Sequence, residues 1–270
     1  MTPQERVFRG IAASEGIVVC RAYVFSTYAG DESFHAPVYQ VTEDKVEEEI
    51  ARFEVALEKA RTDVLKAQQA LALYEELHTG TPPLLIRLAR TCFIVGDLAP
   101  KNQRAGYYEK GLAYAERLIQ EQPDGVAGHY WKALNLSGLA DVGSRMAGFK
   151  LLPKIMEELK LVLVLDETYD QAGVHRVLGR IYFEAPSWPI SVGDKKKSLQ
   201  HLETAVRLAP NHSTNHLYLA ETLLNQEKKD QARSELEKVL PDGQNGLHPQ
   251  ALKEDRQEAR RLLAEMKKEK

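Results

Sequence analysis

Three histidines recur at one position of a repeated sequence pattern, and histidine can bind metal ions or carry protons. His129, His175 and His216 each begin a helical stretch, and a small residue follows each of them four positions later. These small residues are Ala133, Gly179 and Ala220. Side chains at one register of successive repeats lie one repeat apart, so they do not converge on a metal ion. We therefore predict that each histidine packs and hydrogen-bonds to the turn beside it.

A second pair of histidines has a spacing that zinc can use. His212 and His216 are four residues apart, which places two ligands on one face when both are helical. His212 follows Pro210 and Asn211, however, and this sequence is typical of a turn before a helix. The chain is accordingly predicted to hold no metal ion.

Arg176, Arg180 and Glu184 share one face of a predicted helix, because four residues separate each from the next. Two interpretations are open. The side chains form a solvated row of ion pairs, which stabilises a helix only weakly, or the guanidinium groups bind an acidic ligand or a peptide carboxylate. The following loop carries Trp188, which either fills a gap between repeats or forms the lip of a ligand cavity. Asp194 is predicted to cap the next helix.

The same helix face can be followed into the neighbouring repeats. Tyr130 directly follows the first histidine, and Leu217 and Glu221 stand at matching positions after the third. The predicted binding residues are Tyr130, Arg176, Arg180, Glu184, Trp188, Leu217 and Glu221. Such a surface, with an aromatic wall and a basic centre, suits an amphipathic protein segment or a small organic anion. Because exposed ion pairs contribute little, replacing both arginines is expected to abolish binding without lowering stability.

Neither a nucleophile–base pair nor a glycine-rich phosphate loop stands out, so we predict no catalytic residue, no cofactor and no enzyme activity. With 36 basic and 39 acidic residues, the net charge of −3 gives no reason to expect nucleic acid as a partner. No apolar run reaches the length of a membrane span, and residues 1–9 lack the apolar core of a signal peptide. These features predict a cytoplasmic protein and leave a homo-oligomer open.

The elements that must position these residues are pairs of helices. In the last repeat, Ala232, Leu236 and Val239 form an apolar stripe at helical spacing in the second helix of the pair. A small residue in the first helix, another opening the second and a closing proline resemble the tetratricopeptide (TPR) pattern. The resemblance predicts a mainly α fold, in which a TPR-like solenoid over residues 82–248 is followed by a capping helix at 249–270.

The repeats are longer than the 34 residues of the TPR family. The small residues at positions 133, 179 and 220 lie 46 and 41 residues apart. The extra residues are predicted between the two helices of a unit, at 138–153 and at 184–193. Insertions on one face of a solenoid often mark the binding face.

The first 76 residues form a different segment. Residues 7–29 are rich in glycine and β-branched side chains and predict a small β-hairpin, and apolar residues at heptad spacing from 46 to 71 predict a long helix. Residues 6–68, with the run FRGIAASEGI at 8–17, resemble the start of enzyme I, the phosphoenolpyruvate–protein phosphotransferase. The Gly-Gly-x-Thr-Ser-His loop of that family is absent. The segment is predicted to keep a docking role without phosphotransfer, or to be the passenger of a gene fusion.

The repeats also resemble one particular TPR-like family, the T-components of bacterial TRAP transporters. The resemblance covers about residues 84–240 and rests on three runs, HYWKALN at 129–135, HRVLGRIYFEAPSWP at 175–189 and GDKKK at 193–197. It implies a non-enzymatic binding or scaffold protein, an accessory of a transport system whose partner is a substrate-binding protein. It also implies a periplasmic location, in place of the cytoplasmic one predicted from the sequence itself.

Overall fold

The computed structural model describes residues 68, 71, 72, 74, 75, 80–243, 246 and 249–268, and the predicted β-hairpin lies outside these residues. From residue 80 onward, the described chain forms nine α-helices. The helices are α1 (Pro82–Leu98), α2 (Lys101–Glu121), α3 (Val126–Val142), α4 (Arg145–Leu165), α5 (Tyr169–Glu184), α6 (Lys195–Leu208), α7 (Ser213–Asn225), α8 (Lys229–Val239) and α9 (Pro249–Lys268). The predicted mainly α fold is confirmed.

The helices pack as successive pairs. Helix α1 packs against α2, α3 against α4, α5 against α6 and α7 against α8, so four helix–turn–helix units follow one another. The first helices of neighbouring units contact each other, and α9 packs on α7 and α8. One apolar core cluster joins α1 to α5, and another joins α6 to α9. This arrangement is a helical-repeat solenoid in which each unit buries its apolar face against its neighbours.

Small residues allow the two helices of a unit to approach closely. Ala133 and Ala220 are fully buried at the predicted positions. At Gly179, a Cβ atom would lie 2.5 Å from Cγ of Leu202, inside van der Waals contact. The repeated small residue therefore sets the distance between first and second helices, as the sequence pattern predicts.

The two predicted insertions differ in structure. Residues 138–153 do not separate the helices, because α3 continues to Val142 and α4 begins at Arg145 after a two-residue turn. The prediction of a connecting segment here is wrong: the extra residues lengthen both helices, and α4 contains Pro153 within it. Ser144 supports the turn by accepting a hydrogen bond from the backbone of Ala147 at 3.2 Å.

Residues 185–194, in contrast, do form a loop between α5 and α6. The loop is closed at its base, where the Gly193 amide donates to the Pro186 carbonyl and the Asp194 amide donates to the Tyr182 carbonyl, both at 2.9 Å. The carboxylate of Asp194 then accepts from the amides of Lys196 and Lys197, each at 3.0 Å. The predicted N-cap of the following helix is confirmed.

Both ends of the described solenoid are packed. Leu71 and Tyr74, which precede α1, are buried in one apolar cluster with residues of α1. At the other end, Asp255 of α9 accepts hydrogen bonds from the hydroxyls of Ser213 and Thr214 at 2.6 and 2.8 Å. No helix among the described residues is long and apolar enough to cross a bilayer.

Candidate functional site

The repeated histidines join the turn before each first helix to the second helix of the same unit. Nε2 of His129 donates to the carbonyl oxygen of Pro123 at 2.8 Å, and its Nδ1 lies 2.6 Å from the carboxylate of Glu158 in α4. His216 repeats this arrangement with the Pro210 carbonyl and Glu235. The predicted hydrogen bonding to the neighbouring turn is confirmed, and it gives the histidines a structural role.

His175, the second of the repeated histidines, contacts another histidine where His129 and His216 contact a carboxylate. Nε2 of His175 lies 3.0 Å from the carboxylate of Glu167, in the preceding turn, and its Nδ1 lies 2.9 Å from Nδ1 of His201 in α6. A hydrogen bond between two ring nitrogens needs one donor and one acceptor, so it is lost when both rings are doubly protonated. This hydrogen bond between α5 and α6 therefore depends on protonation.

We expect acid to weaken the fold through His201. Burial, reinforced by His175, lowers the pKa of His201 from 6.5 to about 4. The unfolded chain thus binds this proton at higher pH than the folded chain, and the free energy of unfolding falls as the pH drops through 6.5 toward 4. Between about pH 7.5 and about pH 5, wild type should lose about 1 kcal/mol more than His201→Gln, after discounting for partial exposure. Urea denaturation at both pH values measures this, and parallel pH profiles would contradict it.

A cavity of about 720 Å³ opens on the face formed by the first helices of the units. Its lining comes from the first helices, from the start of α4 and from α9. Apolar lining is provided by Phe93, Leu134, Phe149, Leu152, Ile155 and Ile181. Polar and charged lining is provided by Asp97, Asp141, Arg145, Arg180, Glu184 and Tyr218. Apolar walls with charged groups at some points are typical of a pocket that takes a ligand or a few side chains of a partner.

Arg176 lies at the base of this face and is buried, with 7% of its surface exposed. Its guanidinium donates to the Asp170 carboxylate at 3.0 Å, to the Asn215 amide oxygen at 3.2 Å and to the Gln171 carbonyl at 3.3 Å. It also donates to the hydroxyl oxygen of Tyr130, and that hydroxyl donates to Asp170 at 2.6 Å. Arg176 therefore joins α3, α5 and α7. The prediction that Arg176 is exposed is wrong, and with it the reason given for expecting no loss of stability when it is replaced.

Arg180 lies one turn later, and its side chain is 32% exposed. It pairs with Glu184 at 2.6 Å and with Glu221, and its guanidinium carbon lies 4.5 Å from the ring centre of Tyr218. Burial raises the pKa of Glu221, although the nearby Arg180 opposes this shift. Arg180 thus forms ion pairs with two carboxylates, those of Glu184 and Glu221, and Arg176 forms one with Asp170. The positive charge of the predicted basic centre is therefore offset by carboxylates of the chain itself.

Two other predicted binding residues are buried, and a third is exposed. Tyr130 has no exposed surface, so it serves the hydrogen-bond network and not an open aromatic wall. Leu217 is 4% exposed and belongs to the core that joins α6 to α9. Trp188 is 85% exposed, so it does not fill a gap between repeats. Its role as the lip of a cavity stays a prediction, although Pro186 and Ser191 of the same loop do line the cavity.

Several lining residues escaped the sequence prediction. Arg145, Phe149 and Leu152 belong to the stretch predicted to connect two helices, yet their spacing of four and three residues is typical of one helix face. Tyr218 stands one position after Leu217, and a shift of one residue turns a side chain by about 100° around a helix. Predicting these lining residues requires the rotational phase of helix α7 and the knowledge that residues 145–152 belong to helix α4.

The fold defines this chain as a TPR-like helical-repeat protein, and comparisons with known proteins agree. A tetratricopeptide repeat model matches residues 191–255. The crystal structure of a thermophilic TPR protein from Thermus thermophilus superposes with a TM-score of 0.55 over 72% of this chain and 90% of that one, at 22% identity. The predicted TPR-like solenoid is confirmed.

The model for regulator of microtubule dynamics protein 1-3 matches residues 50–190, and the chain belongs to this family. Regulator of microtubule dynamics protein 1 of Mus musculus is 27% identical over 234 residues, which cover 77% of this chain and 73% of the mouse protein. The family model for the N-terminal part of PEP-utilising enzymes matches residues 9–81, so a resemblance of the first segment to this class of enzymes is confirmed. The resemblance to transporter T-components stays a prediction.

Proposed function

We propose that the protein is a non-enzymatic scaffold that binds an amphipathic segment of a partner protein in the cavity of its helical repeats. The observation that carries this proposal is the cavity itself, which opens on the face where the first helices of successive units meet. TPR-like folds are suited to this task, because stacked units provide an extended surface made of many helices.

The charges of the cavity favour a segment that is mainly apolar. Arg176 and Arg180 are both paired with carboxylates, while Phe149, Leu152 and Ile155 of the lengthened α4 add an apolar wall. A segment with apolar side chains gains free energy by burying them here, at about 25 cal/mol per Å². The small organic anion predicted from the arginines has less support from this arrangement.

Phe149→Glu should weaken partner binding about tenfold or more, because it places a carboxylate against the apolar wall of the cavity. Phe149 is only partly buried, so the variant should keep its thermal transition. The partner is first identified by affinity purification with the full chain, and its affinity is then measured by titration. Val164→Glu is the matched control, because Val164 lies on the same helix, outside the cavity, and is 84% exposed. Equal affinities of the two variants would refute the cavity as the binding site.

Membership of the regulator of microtubule dynamics family adds a cellular context to this proposal. The name of this family makes a protein of the microtubule system a candidate partner. Co-sedimentation of the full chain with polymerised tubulin, with and without the Phe149→Glu change, tests this candidate. Retention in the supernatant at every tubulin concentration would exclude direct binding.

A second candidate function concerns the N-terminal segment, because residues 9–81 match the N-terminal part of PEP-utilising enzymes. A docking role in a phosphotransferase system is compatible with that match. We expect no phosphoryl transfer, because the histidine loop of enzyme I is absent from the sequence. Incubation with labelled phosphoenolpyruvate should leave the chain unlabelled, and an acid-labile phosphohistidine would contradict this. A passenger segment would bind nothing that the repeats do not bind alone.

The third candidate is an accessory role in a TRAP-type transport system, with a substrate-binding protein as partner and a periplasmic location. It rests on the three sequence runs in the repeats. Direct titration with such a substrate-binding protein, and fractionation of cells, separate this candidate from a cytoplasmic scaffold.

A further inference from the structure

The loop between α5 and α6 exposes two large apolar side chains. Trp188 is 85% exposed and Ile190 is 73% exposed. Single exposed apolar residues are common on protein surfaces, but a tryptophan and an isoleucine two positions apart in one loop form a local apolar patch. Tryptophan is among the residues that contribute most to protein–protein binding when they become buried.

The loop is held in place by its own backbone. The amides of Ile190 and Ser191 donate to the Ser187 carbonyl at 3.1 and 3.4 Å, and the amide of Gly193 donates to Pro186 at the base. At Gly193 a Cβ atom would lie 2.0 Å from the Ala185 carbonyl oxygen, so the close approach at the base requires glycine. A loop that is already ordered loses less conformational entropy when it binds.

Lysines follow this loop directly, in the first turn of α6. Lys195 turns inward, with its ammonium nitrogen 3.6 Å from the ring centre of Phe183, while Lys196 and Lys197 are exposed. Cations in a first turn oppose the helix macrodipole, so these lysines do not stabilise α6. The backbone amides of Lys196 and Lys197 already donate to the carboxylate of Asp194, so they are not available to a partner. Lys197 already forms a long ion pair with Asp194, with 4.0 Å between Nζ and Oδ2, but 56% of its side chain is exposed, so both lysines still present positive charge to a partner.

We propose that Trp188, Ile190, Lys196 and Lys197 form a second contact surface, which binds an acidic segment of the partner protein that carries large apolar side chains. The proposal rests on the proposed function, because Pro186 and Ser191 of the same loop line the cavity. A segment leaving the cavity on this side passes over the loop. Its carboxylates meet the exposed lysines, and its apolar side chains cover the tryptophan and isoleucine.

An anionic membrane is the other surface that combines with tryptophan and lysine. The loop adjoins the cavity, and this favours a peptide as the partner. A peptide can extend from the loop into a pocket between helices, whereas a bilayer cannot. The two possibilities give opposite results with peptides and vesicles.

The test uses the full chain and a labelled peptide in which glutamates alternate with leucine and phenylalanine, followed by fluorescence anisotropy. Lys196→Glu/Lys197→Glu and Trp188→Ala/Ile190→Ala should each weaken binding about tenfold, and raised salt should weaken wild-type binding. The same peptide with glutamine in place of glutamate should bind as weakly as the lysine variant. All these positions are exposed, so the variants should keep the thermal transition of the wild type.

Matched controls alter the same residue types elsewhere. Lys267→Glu/Lys268→Glu reverses two exposed lysines of α9, and Leu161→Ala/Val164→Ala removes two exposed apolar side chains of α4. Both should bind like wild type. The proposal is overturned if the peptide does not bind to the wild type, or if the loop variants bind it with unchanged affinity. It is also overturned if the protein binds phosphatidylserine vesicles but not the peptide. The proposed function is refuted by a different result, namely that Phe149→Glu binds the identified partner with unchanged affinity.

Discussion

Replacing Arg176 by alanine should lower the free energy of unfolding by about 3–5 kcal/mol, the cost of breaking a buried ion pair by removing one partner. The change leaves the carboxylate of Asp170 and the amide oxygen of Asn215 without their guanidinium donor. It also removes a link between three first helices. Urea denaturation followed by circular dichroism measures the effect, and the midpoint should fall with little change in slope.

Arg176 also supports an unusual turn at the start of α5. Asp170, Gln171 and Ala172 have φ angles of 50°, 57° and 61°, in the left-handed region that non-glycine residues occupy at a cost of about 1–2 kcal/mol each. The guanidinium donates to the carbonyls of Asp170 and Gln171, each at 3.3 Å. Removing it takes away contacts that hold this turn, so the loss of stability should be at the upper end of the range.

Arg180→Ala is the control for this prediction. It changes the same residue type one turn later on the same helix, but its side chain is 32% exposed and its ion pairs are accessible to water. Such pairs contribute about 0–1 kcal/mol. If both variants lose the same free energy of unfolding, the burial of Arg176 does not add to its contribution to stability.

The repeat architecture could be predicted from the sequence because it depends on local periodicity. A small residue four positions after each histidine marks the close contact of two helices, and this contact is repeated in the structure. The turn that each histidine contacts was also predictable, since it lies a few residues earlier. The second partners were not: Glu158 and Glu235 are ordinary acidic residues of amphipathic helices until the helices pack.

The binding face was predicted less well, because burial depends on residues far apart in sequence. Arg176 and Arg180 look equivalent at their spacing, and only the approach of Tyr130 and Asn215, in other units, buries the first of them. The lengthening of α3 and α4 likewise turned a predicted connection into a cavity wall. A family repeat length indicates that residues are extra, but it does not indicate whether they form a loop or further helical turns.

Gly179 gives the second large effect, and the sequence pattern alone identifies its position. Gly179→Leu should destabilise the protein by about 3 kcal/mol or more, because its side chain must fit where α5 already touches Leu202 of α6. Leu202 is fully buried and cannot move aside into solvent. The two helices would have to separate, and the neighbouring contact of His175 with His201 would be disturbed as well.

Gly106→Leu is the control for this substitution. Gly106 lies within α2, and a Cβ atom built there meets nothing within 4 Å. Leucine has a higher helix propensity than glycine, by roughly 0.5–1 kcal/mol, so this variant should be as stable as wild type or more stable. Thermal unfolding of both variants gives the comparison. A stable Gly179→Leu protein would mean that α5 and α6 can be packed at a larger distance, and that the repeated small residue does not determine the spacing of the solenoid.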